Sequence, residues 1–212
     1  MNKGLFITLE GGDGCGKTTQ GKLIYEYLIG QGLEVVRIRE PGGTEIGEKI
    51  RDIILDKDNF EMNNITEIML YAAARAQIVS EIIKPSLEQG KIVLCDRFID
   101  SSYAYQGYGR GIDLDTITAI NKAAMDDIYP DITLFFDLNP KKAIERRVAE
   151  REVDRLEMEN ASFHQRVYEG YCNIAKREPE RFFKINAENS IDDVFSDAKN
   201  ILDEAIRKWR SE

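Results

Sequence analysis

The stretch Glu10-Gly11-Gly12-Asp13-Gly14-Cys15-Gly16-Lys17-Thr18-Thr19-Gln20 decides the fold of this chain. It follows an apolar run and precedes an amphipathic one, so it lies where a buried strand turns into a helix. Gly11, Gly16, Lys17 and Thr18 match the pattern G-x-x-x-x-G-K-[ST] of a phosphate-binding loop. A glycine-rich turn that only connects a strand to a helix is the alternative, but the flanking pattern favours nucleotide binding.

Each residue type in this loop has a chemical reason. Glycines leave backbone N–H groups free to wrap a triphosphate, and a helix N-terminus behind the loop favours anionic charge. We expect Lys17 to reach the β- and γ-phosphates of ATP and Thr18 to offer its hydroxyl to Mg²⁺. The predicted ATP-binding residues are Gly11, Gly12, Asp13, Gly14, Cys15, Gly16, Lys17, Thr18 and Thr19.

Length and charge limit the class of protein. The 212 residues are enough for one well-buried α/β domain, and we predict a single domain over residues 1–212. The 38 Asp and Glu residues outnumber 29 Lys and Arg residues, giving a net charge of −9. This acidic balance argues against a nucleic acid or a membrane surface as a partner.

Cysteine and histidine usage excludes further classes. Cys15, Cys95 and Cys172 lie far apart and His164 is the only histidine, so a metal cage or a histidine-based triad has too few residues. The sequence shows neither a signal-peptide pattern nor a run of about 18 apolar residues. We therefore expect a cytoplasmic protein with reduced thiols.

Apolar runs separated by helical patterns predict the architecture. Five strands with helical crossovers imply a mostly parallel sheet with helices on both faces, an α/β fold. A long helix is predicted over 66–89, with Gly90 as its stop and Pro85 as a kink or an early end. Asn139 before Pro140, and Ser190, have the features of helix N-caps. The predicted strands are 5–9, 33–38, 91–95, 132–138 and 181–185.

Two further motifs follow predicted strands, where an α/β sheet presents its ligand-binding loops. Asp96-Arg97 ends the third strand, and a carboxylate there can hold the magnesium shell while the arginine meets a phosphate. Arg39-Glu40-Pro41-Gly42-Gly43-Thr44 follows the second strand and is either a simple turn or part of the site. Downstream, Arg51 is either a surface charge or a second phosphate contact.

An arginine-rich segment supplies positive charge that the phosphate-binding loop lacks. No arginine lies between Gly11 and Gly16, so charge stabilisation beyond Lys17 must come from elsewhere. As a group the arginines predict a mobile lid over about 143–156 that closes on the phosphates and expels water. A salt-bridged solvent face is the alternative, because acidic residues are interleaved with them. These arginines are Arg146, Arg147, Arg151 and Arg155.

Taken together, the motifs resemble those of the bacterial thymidylate kinases over nearly the whole chain. The resemblance rests on the strings 10–19 and 39–44 and on Asp96-Arg97-Phe98, followed by Ser101 and Ala104-Tyr105-Gln106, which is the most discriminating set. It implies a P-loop NTPase fold of the nucleoside monophosphate kinase type. It further implies Mg²⁺-dependent transfer of the γ-phosphoryl of ATP to dTMP, giving dTDP and ADP for dTTP synthesis, and a homodimer formed by helices beside the sheet.

The resemblance also implies roles for single residues. Asp13 is expected near the sugar 3′-hydroxyl, Arg97 on the acceptor phosphate and Arg75 on the thymine edge. Tyr71 stands where relatives often have a phenylalanine stacked on the base, and Tyr105 matches a tyrosine beside the sugar, a core residue being its alternative role. The implied dTMP-binding residues are Asp13, Glu40, Arg51, Tyr71, Arg75, Arg97, Ser102, Tyr105 and Gln106. The implied catalytic residues are Lys17, Arg97, Arg146 and Arg151, with Thr18 and Asp96 on the metal.

Two other functions are compatible with the phosphate-binding loop. Another nucleoside monophosphate or deoxynucleoside kinase of the same fold would keep Lys17 and Asp96 but bind a different base, so the segment from Tyr71 to Arg75 discriminates. A regulatory GTPase would need Asn-Lys-x-Asp to recognise guanine, and the string that begins at Asn121 lacks the aspartate.

Overall fold

The computed structural model describes residues 3–146 and 154–211, apart from the side chains of Ile144 and Glu145. Its described part is built on a five-stranded parallel sheet of order β2-β3-β1-β4-β5, which confirms the predicted fold class. The strands are β1 (Leu5–Glu10), β2 (Val35–Arg39), β3 (Ile92–Asp96), β4 (Ile132–Asp137) and β5 (Phe182–Asn186). Each observed strand overlaps a predicted one, and each of its ends lies within two residues of the predicted end.

Helices connect the strands and cover both faces of the sheet. They are α1 (Lys17–Gly30), α2 (Glu45–Leu55), α3 (Asn64–Ile78), α4 (Lys84–Glu88), α5 (Ile99–Ser102), α6 (Leu114–Met125), α7 (Pro140–Arg146), α8 (Ala161–Arg177) and α9 (Ile191–Ser211). Apolar side chains of α1 and α9 pack on one face, and those at the end of α3, in α4 and at the end of α6 pack on the other. Burial of these stripes on the sheet is the main stabilising term of such a fold.

The long helix predicted over 66–89 is interrupted. The segment Val79–Ile83 between α3 and α4 is a π-helical turn, and Pro85 lies in the first turn of α4. Proline lacks an N–H group and its ring crowds the carbonyl of the preceding turn, so a widened turn at this point accommodates it without ending the helix. A second π-helical segment, Tyr103–Gly109, follows α5.

The helix-start predictions at 139 and 190 are confirmed. The Asn139 side chain accepts a hydrogen bond from the backbone N–H of Lys141, at 3.0 Å. The Ser190 hydroxyl oxygen accepts from the backbone N–H of Asp193. These contacts satisfy N–H groups that have no partner inside the helix.

Strand register brings the sequence motifs together. Leu9 in β1 pairs with Asp96 in β3, which in turn pairs with Arg39 in β2. Because the strands are parallel, the loops that follow β1, β2 and β3 leave the same edge of the sheet side by side. The central position of β1 places the phosphate-binding loop in the middle of this edge.

Candidate active site

A cavity of about 410 Å³ opens at the carboxyl edge of the sheet. Its walls bring together residues that lie up to 144 positions apart in the sequence, since Asp13 and Glu157 both line it. The residues predicted for the site that line it are Asp13, Gly14, Gly16, Lys17, Thr18, Glu40, Arg51, Tyr71, Asp96, Arg97, Ser102, Tyr105, Gln106 and Arg146. The predicted residues Gly11, Gly12, Cys15, Thr19 and Arg75 are not among its lining.

The loop between β1 and α1 has the geometry of a phosphate cradle. Gly14 and Gly16 have φ angles of 83° and 92°, which L side chains rarely adopt, and a Cβ at Gly14 would lie 2.7 Å from the carbonyl oxygen of Ala143. The Lys17 ammonium donates to the carbonyl oxygens of Gly11, at 2.9 Å, and Gly12, at 3.2 Å. It is thereby held inside the loop, at the start of α1.

The end of β3 offers oxygen ligands for a cation. Oδ1 of Asp96 is buried, and no described residue donates a hydrogen bond to it. The hydroxyl-bearing side chain of Thr18 lies on the same cavity and is exposed. A carboxylate and a hydroxyl are the hard oxygen donors that suit Mg²⁺, which usually takes one or two carboxylates and completes its shell with water and substrate phosphates. The two residues therefore fit the ion.

Arg97 lies at the centre of a polar cluster in the cavity. Its backbone is in the left-handed region, with φ of 68°, which is strained for a residue with a side chain. Its Nη2 donates to Asp13 at 2.6 Å and to the Tyr105 hydroxyl at 3.2 Å, and the guanidinium carbon lies 5.0 Å from the centre of the Tyr105 ring. Burial opposes ionisation of Asp13, but the charges of Arg97 and Lys17 outweigh it and hold its pKa well below the usual range.

Glu10, which the motifs did not single out, supports this cluster from below. Its carboxylate is fully buried and accepts from the backbone N–H groups of Phe98 and Ser101, the Ser101 hydroxyl and the Tyr171 hydroxyl, at 2.6 to 3.2 Å. Burial, and then the charge of Asp100, raises the pKa of Glu10 to about 7. A charged residue at the end of an otherwise apolar strand was the signal in the sequence.

A buried network lies behind one wall of the cavity. Arg75 is 1% exposed; its Nε and Nη2 donate to Oε2 of Glu40 at 2.9 and 2.6 Å, and its Nη1 donates to Ser102, at 3.0 Å, and to Asn121. Arg75 thus lies behind the cavity wall that Glu40 and Ser102 form. In the sequence Asn121 belongs only to an incomplete guanine motif, and its role here depends on a contact across 46 positions.

Positive side chains surround the rest of the cavity. Arg51 donates to the carbonyl oxygen of Pro41 at 2.9 Å, and burial, followed by the charge of Arg39, lowers its pKa. Arg146, at the end of α7, is exposed and donates to the carbonyl oxygens of Ala187 and Glu188 at 2.7 and 3.2 Å. Arg51 and Arg146 therefore bring positive charge to the cavity from two sides.

Comparison with known proteins assigns this arrangement to a family. Residues 9–198 match the family model described as thymidylate kinase. The chain belongs to the thymidylate kinase family. Its relatives include the thymidylate kinases of Oceanobacillus iheyensis, 53% identical over 94% of this chain and 89% of that protein, and of Clostridium novyi, 50% identical over 95% and 100%. A crystal structure of thymidylate kinase from Ehrlichia chaffeensis is similar over 94% of this chain and 99% of that one, with 37% identity and a TM-score of 0.74.

Membership of the thymidylate kinase family decides between the alternatives left by the motifs. The match spans most of the chain and includes the segment from Tyr71 to Arg75, so neither a regulatory GTPase nor a kinase of another family describes the chain. Among the described residues no helix is long and apolar enough to cross a membrane.

The predicted lid of this thymidylate kinase family member is only partly described. Arg147 and Arg151 lie outside the described residues. The expectation that all four arginines form a mobile flap is wrong for Arg155, whose side chain is 7% exposed, donates through Nε to the carbonyl oxygen of Ile54 and lies 2.7 Å from Glu67. An arginine desolvated to this degree is held by its partners, which explains the difference.

Proposed function

We propose that the cavity at the carboxyl edge of the sheet is the site where the γ-phosphoryl of ATP passes to dTMP, giving dTDP and ADP. The observation that carries this proposal is the meeting of the phosphate-binding loop, the Asp96 carboxylate and the Arg97 cluster on one cavity of about 410 Å³. Phosphoryl transfer requires mainly in-line positioning and positive charge around the transferring group, and these parts supply both.

The donor end is the loop between β1 and α1. Backbone N–H groups of the loop and the Lys17 ammonium bind the β- and γ-phosphates of ATP, so Lys17 exchanges its contacts with loop carbonyls for phosphate oxygens. Thr18 and Asp96 hold Mg²⁺, which fits the unpartnered carboxylate oxygen of Asp96. When bound, the ion neutralises charge on the phosphate oxygens.

The acceptor end adjoins the loop at the Arg97 cluster, which includes Asp13. Arg97 and Arg51 bind the phosphate of dTMP, and the planar guanidinium of Arg97 suits bidentate contact with it. Asp13 and Tyr105 contact the sugar from the cluster that already joins them to Arg97. Strain at Arg97 is consistent with a position set by function.

The base lies against Tyr71, Glu40, Ser102 and Gln106, which line the far wall. Of the five N–H groups of Arg75, four are directed at Glu40, Ser102 and Asn121, so the remaining N–H on Nη2 is the one available to the thymine edge. In this role Arg75 contributes mainly by holding the wall that the base touches.

The lid supplies further charge during transfer. Arg146 lines the cavity beside the donor end, and a closed lid moves its guanidinium from the carbonyl oxygens of Ala187 and Glu188 to the transferring phosphoryl group. Arg151 is the alternative for this role. Exclusion of water by the closed lid prevents hydrolysis of ATP.

We propose that the chain is a single domain and forms a homodimer in the cytoplasm. The three cysteines are free, which suits a reducing compartment. Apolar side chains on the outer sides of α2 and α3 support a second copy of the chain as the partner of this face. They are Ile46, Ile53, Ile65 and Met69, which are 40% to 55% exposed.

An acceptor panel tests the function. The protein is incubated with ATP, Mg²⁺ and one nucleoside monophosphate at a time, and ADP is measured; dTMP is expected to be the preferred acceptor. Lys17→Ala should abolish the transfer and leave the unfolding transition nearly unchanged, because Lys17 contacts only the loop. ADP formation that is independent of any acceptor, or normal turnover by Lys17→Ala, would contradict the proposal.

A further inference from the structure

Glu67 is a buried carboxylate on α3 to which the steps above give no role. It is fully buried, and its Oε2 lies 2.7 Å from Arg155 and 3.0 Å from Arg110. Its Oε1 accepts hydrogen bonds from Arg110, at 3.2 Å, and from Nε2 of Gln106, at 3.0 Å. Burial opposes the charged form, but the hydrogen bonds from Arg110 and Gln106 outweigh it and lower the pKa of Glu67. The side chain is therefore an ionised group that only accepts hydrogen bonds.

An acceptor-only partner fixes the orientation of the Gln106 amide. Gln106 is 1% exposed, so its amide cannot turn over by exchanging Glu67 for water. A turned amide would press its carbonyl oxygen against the Glu67 carboxylate in a buried site, and two acceptors in contact without a proton are strongly disfavoured. Gln106 also lines the cavity, and no described residue donates to its Oε1.

We infer that Glu67 is a positioning residue that sets base selectivity, because it holds the Gln106 amide with its NH₂ inward and leaves Oε1 as a hydrogen-bond acceptor for the base. The inference rests on the proposed function, since it concerns the acceptor base in the same cavity. It names a residue that does not touch the base but decides which donors and acceptors the base meets.

The chemistry of pyrimidines turns this orientation into selectivity. Thymine and uracil carry a hydrogen on ring atom N3, whereas N3 of cytosine carries a lone pair. A fixed carbonyl oxygen on Gln106 accepts from the first kind of base and faces the lone pair of the second. A site built for one hydrogen-bonding pattern rejects the opposite one more strongly than a site built only for shape.

Replacing Glu67 by glutamine releases the amide. In Glu67→Gln the side-chain oxygen is best placed at the Oε2 position, where it keeps the shorter contacts with Arg110 and Arg155. Its NH₂ then occupies the Oε1 position, loses the longer hydrogen bond from Nε of Arg110 and faces Gln106. Gln106 then turns its carbonyl oxygen inward and presents NH₂ to the cavity. The variant should therefore accept dCMP better and dTMP worse than the wild-type protein does.

The experiment compares kcat/KM for dTMP, dUMP and dCMP in the wild-type protein and in Glu67→Gln. The ratio of dTMP to dCMP is expected to fall by about tenfold or more, a typical value for one correctly paired base contact, while the ratio of dTMP to dUMP stays within about twofold. Glu159→Gln is the matched control, because Glu159 also pairs with Arg110 but does not contact Gln106. It makes the same chemical change and should leave both ratios unaltered.

Two further variants test the inference, and Gln106→Leu does so without the substitution at Glu67. Gln106→Leu removes the amide and should also reduce the ratio of dTMP to dCMP. The double variant Glu67→Gln with Gln106→Glu exchanges the two groups and keeps an acceptor facing the base, so it should restore the preference for dTMP. An unaltered ratio in Gln106→Leu, or dCMP preferred by the double variant, would overturn the inference. If the wild-type protein phosphorylates none of the three acceptors, the proposed function itself fails.

Discussion

At the scale of single residues, Glu10 links the chemistry of the site to the stability of the fold. Its folded pKa of about 7 lies above the ordinary value of 4.5, so the folded protein binds this proton more tightly than the unfolded chain does. The stability that the protonated group contributes is complete below about pH 4.5 and is lost as the pH rises to about 7, a loss of roughly 3 kcal/mol.

We predict that Glu10→Gln removes this loss of stability between pH 4.5 and pH 7. The difference in the free energy of unfolding between the wild-type protein and the variant, measured by urea denaturation, should fall by up to about 3 kcal/mol between pH 4.5 and pH 7. Asp100 and Arg97 face Glu10, and Asp100 keeps its ion pair with Arg181 in the variant. Glu26→Gln, at an exposed position of α1, is the control and should run parallel to the wild-type protein. Parallel curves for Glu10→Gln as well would refute the prediction.

A second residue-scale prediction concerns Tyr105 and the sugar. The ring is 6% exposed and packs edge-on against Phe163 and Tyr171, so it is a core residue that also forms the cavity wall. Tyr105→Ala should lower kcat/KM for dTMP much more than kcat/KM for its ribonucleotide analogue. The ratio of the two values should fall by roughly ten- to a hundredfold, because the ring excludes a 2′-hydroxyl by shape.

Tyr105→Phe is the matched control. It keeps the ring and loses only the hydroxyl that donates to Asp13, so it should retain most of the discrimination between the two acceptors. The same ratio of kcat/KM in the alanine variant and the wild-type protein would show that the ring has only a packing role.

Sequence reasoning identified the site residues that belong to a known short motif in the loop where they act. Lys17 and Asp96 were predicted in this way, and both line the cavity. It did not identify Glu67 or Asn121, since their contacts with Gln106 and Arg75 span 39 and 46 positions and no local pattern encodes such pairs. Their roles emerge only when α3, α6 and the segment Tyr103–Gly109 are packed together.

At the scale of elements, the arginines around the lid divide into charge carriers and structural residues. We predict that the alanine variant of Arg146 or of Arg151 lowers kcat by about 10³ and changes KM for ATP much less, because charge on the transferring group develops in the transition state. Arg155→Ala should instead destabilise the fold by about 1 to 3 kcal/mol, since it removes the ion pair with Glu67 and the hydrogen bond to Ile54, while Arg110 still pairs with Glu67. Steady-state kinetics and urea denaturation of the three variants separate the two effects. Unaltered kcat in both Arg146→Ala and Arg151→Ala would remove support for the lid.

Elements were predictable to the extent that a periodic pattern specified them. The five strands follow from apolar runs, but most of their ends were missed by a residue or two because strand pairing, not composition, sets where a strand stops. The π-helical segments Val79–Ile83 and Tyr103–Gly109 were not predicted. A π-helical turn has only a weak local sequence preference, so tertiary contacts on both sides of the helix decide where it forms.

At the scale of the whole molecule, α3 has two faces with different tasks. Glu67, Tyr71 and Arg75 point toward the cavity and the buried network, whereas Ile65 and Met69 lie on the opposite, solvent-facing side. A second copy packed on the outer face would therefore hold the helix that carries the base end of the site.

We predict that the chain is a dimer and that Ile65→Glu with Met69→Glu makes it a monomer, because two buried carboxylates opposite their symmetry mates cannot be paired. Sedimentation should give twice the chain mass of 24.2 kDa for the wild-type protein and about half the wild-type mass for the variant. Ile29→Glu is the control: Ile29 is 43% exposed but lies on α1, which covers the other face of the sheet, so this variant should stay dimeric. A monomeric wild-type protein would contradict the predicted dimer, and a double variant that remains dimeric would place the interface on another face. Because the outer face supports α3 from behind, the monomeric variant should also bind dTMP more weakly while its KM for ATP remains close to the wild-type value.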